Sequence, residues 1–106
     1  MKSIKFAHKL VQSILDGTKT TTWRLFDEKD LQVCDELTFV DVDSKQKFAT
    51  AIIIDVREKK INELTDEDLK SNSYENREQV VTVNLKYYGD RVTEETLIKM
   101  IAFKLI

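Results

Sequence analysis

Apolar and polar positions alternate with several different periods along this chain, and each change of period marks an element. The opening SIKF, residues 3–6, reads as a short strand. From Ala7 to Asp16 the apolar residues Leu10, Val11, Ile14 and Leu15 recur at i, i+1, i+4 and i+5, which is one stripe of a helix. Gly17 stands where a left-handed C-terminal cap is wanted. KTTTWRLF, residues 19–26, is rich in β-branched and aromatic side chains and reads as a second strand. DELTFVDV and KFATAIIIDVRE follow as two strands joined by the polar turn DVDSKQ, a hairpin whose second member sets Phe48, Ile52, Ile54 and Val56 on one face as core. In ELTDEDL, Thr65 supplies an N-cap with Asp68 three residues on, so a short helix begins at Asp66. Residues 76–88 carry both signals: VVTV favours a strand, while Val81, Leu85 and Tyr88 fall at i, i+4 and i+7. The length of the segment and the closing Gly89 decide for helix. TLIKMIAFKLI ends the chain, apolar on both faces as a central strand would be.

The predicted order is strand, helix, strand, strand, strand, helix, helix, strand. Without the regular strand–helix alternation of a parallel sheet, it points to an α+β fold with a small curved sheet or barrel. Of the 106 residues 42% are hydrophobic, enough to bury one core but not to divide into two, so one domain over 1–106 is expected. No proline, repeat or low-complexity run marks a linker. No run approaches the roughly 18 apolar residues of a membrane span, and MKSIKFAHKL lacks the features of a signal peptide, so the expected location is the cytoplasm. The single cysteine, Cys34, excludes an internal disulfide, and with His8 as the single histidine no zinc site of the usual four-ligand kind can be built. No metal and no cofactor is expected.

The net charge of −2 is unevenly distributed. Among residues 1–24, Lys2, Lys5, Lys9, Lys19 and Arg24 stand against Asp16 alone, a balance of +4, which leaves −6 for the remaining 82 residues. A local basic surface on an acidic chain argues against nonspecific duplex binding and suits a small anionic or nucleotide-like ligand. The positive region holds the most chemistry-bearing stretch, GTKTTTWR. Strand alternation sets Thr20, Thr22 and Arg24 on one face and Thr21, Trp23 and Leu25 on the other, taken here as the packed face.

GTKTTTWR after a helix, then LQVCDELTF, a long apolar strand, a helical KYYGD and a final IAFKLI together resemble the ASCH domain, a small single-domain member of the PUA-like superfamily. The specific part is the signature G-x-K-x-x-T-x-R, matched by Gly17, Lys19, Thr22 and Arg24. One departure is Cys34, where the family commonly has glycine in a turn; positive φ there would strain a cysteine by roughly 1 kcal/mol or more. The resemblance implies a compact mixed β-barrel of five or six strands, two or three helices packed at its openings, and a cleft lined by the signature. It also implies RNA or a modified nucleoside as partner. No membrane partner is expected, and the chain is expected to be a monomer.

Some small members of the family remove the acetyl group from acetylated cytidine with a lysine, a threonine and a glutamate. On that pattern Thr22 would attack or hold the water, Lys19 would take the proton, and Glu75, with Glu78 in reserve, would orient the lysine or relay the proton. Arg24 would hold an anionic group or the developing oxyanion. Glu75 and Glu78 equally suit the simple stabilisation of a helix's first turn. For a binding module the same residues need no nucleophile. Gly17, Lys19, Thr20, Thr22 and Arg24 would contact the ligand, and Tyr74 in its polar loop or Tyr87 would offer a ring to an unstacked base, with Tyr88 given to the core. Binding of RNA or a modified nucleoside is the leading expectation and amidohydrolysis the alternative, so the sequence leaves open whether the chain is an enzyme. A protein-interaction module is the third class. Pairing of Cys34 with His8 as a nucleophilic dyad has nothing in the sequence to place them together, and REKK at 57–60 reads as a solvated strand end.

Overall fold

The computed structural model describes residues 2–26 and 29–106. Five strands and three α-helices follow one another in the order predicted: β1 (Lys2–Phe6), α1 (His8–Leu15), β2 (Thr21–Leu25), β3 (Glu36–Asp41), β4 (Lys47–Lys60), α2 (Asp66–Ser71), α3 (Arg77–Tyr88) and β5 (Leu97–Leu105). Single 3-10 turns at Ile61–Glu63 and Gly89–Arg91 precede α2 and follow α3. The strands form one mixed sheet in the order β1-β3-β4-β5-β2. β1 runs parallel to β3, and β3 and β4 make the expected antiparallel hairpin. The chain is therefore α+β, and β5, apolar on both faces, lies between two neighbours.

Two compact units are distinguished. Among the described residues the first holds 2–23, 29–57 and 100–106, the second 24–26 and 58–99.

In the first unit, Ile4, Phe6, Ile14, Leu37, Phe39, Ala51, Ile53, Ile101 and Phe103 form the core. Phe39 is its centre, edge-on to Phe6 at 4.8 Å and to Phe103 at 4.9 Å between ring centroids, the arrangement aromatic quadrupoles favour. The predicted core face of β4 needs correction. Ala51 and Ile53 are the buried residues and Ile54 is 55% exposed, although Phe48 and Val56 do pack against the core. The register explains it: Phe39 pairs with Ala49 but Val40 with Lys47, so Phe48 is an extra residue in the ladder. Such a bulge breaks the two-residue period, which lets Phe48 reach Phe6 and Phe39 together with the odd-numbered side chains beyond it.

In the second unit the local signals hold. Thr65 Oγ1 accepts from Asp68 N at 3.1 Å while the Asp68 carboxylate accepts from Thr65 N at 3.0 Å, a reciprocal capping box opening α2. Burial works against ionisation of Asp68, but hydrogen bonds from Lys59 and Thr65 outweigh it and hold the carboxyl below its usual range. Asn76 caps α3 through Gln79 N at 2.8 Å, and Gly89 ends it at φ 78°. The stripe predicted for α3 is displaced by one residue: Val80 is fully buried and Asn84 nearly so, whereas Leu85 is exposed. Asn84 is tolerated there because its amide donates to the Val80 carbonyl at 2.8 Å.

Candidate functional site

The signature segment leaves α1 through a tightly bonded turn. Gly17 takes φ 84°, with nothing within 4 Å of where a Cβ would stand, so glycine is required by backbone conformation and not by crowding. Its N–H donates to Ile14 O at 3.3 Å. Asp16 Oδ1 accepts from Thr18 N at 2.9 Å and from the Thr18 hydroxyl at 2.7 Å, bonds that hold the Asp16 carboxyl below its ordinary range. Lys19 N then donates to Ser13 O at 2.9 Å, satisfying a carbonyl of the last helical turn. One residue on, Thr20 O accepts from Phe103 N at 3.0 Å. The backbone of Lys19 is tied to the helix end and that of Thr20 to β5.

Along β2 the two predicted faces do not separate by burial. Thr22 is 5% exposed and Leu25 is 3%, while Thr21, Trp23 and Arg24 are half-buried and Thr20 is exposed. Alternation decides which side chains share a face, but it does not decide which face is covered. Burial pushes the Arg24 guanidinium below its ordinary pKa, and the neighbouring Tyr88 acts in the opposite direction.

Within the second unit, Tyr74 is half-buried. Burial raises its phenol, and a hydrogen bond with the Asn84 side chain works against that rise. Tyr87 is instead the open ring, 73% exposed. Glu75 and Glu78 both have exposed side chains at the start of α3; Glu75 N donates to Gln79 Oε1 at 2.7 Å, and Glu78 O accepts from the Thr82 hydroxyl. Tyr88 sets its ring edge-on to Phe26 at 5.7 Å, with its hydroxyl 3.5 Å from Leu25 N. Over the same Phe26 ring lies the Arg91 guanidinium, 4.1 Å from the centroid. No spacing in the sequence announces that cluster, because 65 positions separate Phe26 from Arg91.

His8 pairs with Asp41, not Cys34: Nδ1 lies 2.6 Å from Asp41 Oδ2. Asp41 follows Leu37 and Phe39 on the inward face of β3 and is 5% exposed, its other oxygen accepting from Asp43 N at 2.8 Å. The carboxylate stands at the first turn of α1, which has no acid of its own. Cys34 is exposed and takes φ 75°, so the residue that departs from the family pattern does occupy a left-handed turn position. Among the described residues no group of three or more histidine, cysteine or carboxylate side chains is placed to hold a metal, and no helix is long and apolar enough to cross a membrane.

No protein-family model and no curated protein matches the sequence. Solved structures do match it in fold. An ASCH domain from Lactobacillus crispatus is 17% identical, with 98% of this chain and 78% of that one covered at a TM-score of 0.68. The ASCH protein of Zymomonas mobilis is 12% identical over 96% of this chain and 65% of its own, with a TM-score of 0.64. A hypothetical protein, PH0355, is 19% identical with both chains fully covered and a TM-score of 0.70. With its mixed five-stranded sheet, its three helices and the segment that runs from Gly17 and Lys19 after α1 into Thr22 and Arg24 of β2, this chain has the fold of the ASCH domain.

Proposed function

We propose that this chain binds RNA or a modified nucleoside through residues 17–24. Lys19 and Arg24 contact phosphate or another anionic group, and the exposed Thr20 meets a polar edge of the sugar or base, while the buried Thr22 supports the strand behind them. The observation that carries this reading is the double anchoring of the segment: Lys19 N on Ser13 O and Thr20 O on Phe103 N, at 2.9 and 3.0 Å. Cations and hydroxyls on a backbone fixed before the ligand arrives lose little conformational entropy on binding. Hydrolysis of an acetylated cytidine by Lys19, Thr22 and Glu75 has less behind it. Thr22 is 5% exposed, a poor position for attack on an incoming carbonyl, and the side chains of Glu75 and Glu78 are open to solvent.

The test measures binding of a labelled single-stranded RNA pool by native protein, Lys19→Ala and Thr22→Val at several salt concentrations. Binding that weakens with salt, falls in Lys19→Ala and survives in Thr22→Val is expected. Release of cytidine from acetylated cytidine, abolished by Lys19→Ala and Thr22→Val alike, would replace binding with amidohydrolysis.

A further inference from the structure

The carboxyl-terminal end of α3 presents a second set of groups suited to nucleic acid. Tyr87 and Tyr88 are adjacent, so they project about 100° apart around the helix axis. Tyr88 turns to Phe26 and is half-buried; Tyr87 is left 73% exposed. Gly89 then reverses the chain at φ 78°, with Val92 N donating to Gly89 O at 3.3 Å, and the short turn Gly89–Arg91 brings Arg91 back over Phe26. Phe26 itself sits at φ 51°, a conformation unfavourable for an aromatic residue, and its ring receives both Tyr88 and Arg91. The guanidinium is thereby held in place over an aromatic face, while the Arg91 residue as a whole is exposed. Lys86, exposed on the last turn of α3, makes no ion pair among the described residues, and Arg91 likewise has no carboxylate partner there.

We infer that this end of α3 is a stacking site for single-stranded RNA, with Tyr87 and the Phe26-backed Arg91 each receiving one unstacked base. Lys86 contacts a phosphate between or beside them. The inference rests on the RNA reading above and extends it: the ligand is an oligonucleotide with at least two splayed bases, not a lone nucleoside. Bases suit the position better than phosphates do. The carbonyl end of the helix dipole and Asp90 both repel anions, whereas a neutral base needs only a flat surface, which tyrosine and guanidinium planes supply. Duplex RNA, whose bases are already stacked, has nothing to offer such a site.

The experiment measures anisotropy of a labelled mixed-sequence single-stranded RNA 10-mer with native protein, Tyr87→Ala, Arg91→Lys and Lys19→Ala. Unlabelled duplex RNA serves as competitor, and cytidine binding is followed in parallel by calorimetry. Tyr87→Ala is expected to weaken 10-mer binding about tenfold, and Arg91→Lys, which keeps the charge but loses the plane, severalfold. Both should leave cytidine affinity and melting temperature unchanged, and duplex RNA should compete poorly. Full 10-mer affinity in both variants alongside a loss in Lys19→Ala would overturn the stacking site and leave the signature segment as the RNA contact. Loss in Tyr87→Ala with full affinity in Lys19→Ala would support the stacking site and refute the role given to residues 17–24. A native protein that binds no 10-mer refutes both.

Discussion

Replacing Ile53 by alanine should cost far more than the same replacement one residue later. Ile53 is 1% exposed, and its backbone is locked on both sides, N donating to Asp35 O at 2.9 Å and O accepting from Cys34 N at 2.8 Å. Truncation removes three carbon atoms from a site with no room to collapse. At about 0.8 kcal/mol per methylene the transfer loss is roughly 2.4 kcal/mol, and the cavity left behind brings the cost to about 3–4 kcal/mol. Ile54 is 55% exposed, so less than half of that transfer loss applies and no cavity forms, giving about 1 kcal/mol. For a domain of this size the two variants should melt roughly 12–30 °C and 4–8 °C below the native protein. Urea unfolding followed through Trp23, the single tryptophan, measures both costs directly. An Ile54→Ala variant as destabilised as Ile53→Ala, with unchanged m-values, would refute the bulge at Phe48 and restore the simple alternation of the sequence.

Two further outcomes follow from backbone strain and from charge. Cys34→Gly should raise stability by about 1 kcal/mol, because the exposed cysteine packs against little and holds φ 75° at a steric cost glycine does not bear; Cys34→Ala should give no gain, and equal melting temperatures for all three proteins would contradict the strain. The hydrogen bond to Asp41 and its charge raise the His8 imidazole above its usual pKa, and the same bond lowers the Asp41 carboxyl. The His8 contribution is fully present below the unfolded imidazole value and is lost as pH rises through the raised folded one. That of Asp41 is present above its unfolded value and lost as pH falls through the lowered one. The pair is therefore complete only in mildly acidic solution. NMR titration of His8 should give a value above 6.5 that Asp41→Asn brings back down, and an unshifted imidazole in the native protein would refute the pairing.

Much of the framework was legible because it is set by neighbours in the chain. Gly17 closes α1, Thr65 and Asp68 cap α2, and Asn76 and Gly89 bound α3, each through hydrogen bonds or backbone conformations spanning a few residues. The signature residues could be named for the same reason, since their spacing lies within eight positions. Side-chain environments were less legible. Tyr74, drawn as an open ring in a polar loop, is half-buried with its hydroxyl on Asn84, and Tyr87 is the ring left in solvent.

By itself, then, the sequence determined the order and type of the elements, their caps and the segment that carries the candidate chemistry, because those depend on local propensity and on spacings of three or four residues. Only the tertiary structure decided the strand order β1-β3-β4-β5-β2, the inward face of β4, the meeting of His8 with Asp41, and the stack of Arg91 on Phe26. These join residues far apart in the chain or turn on one extra residue at Phe48. A two-residue period carries no record of either, since it fixes which side chains share a face but not what that face will meet.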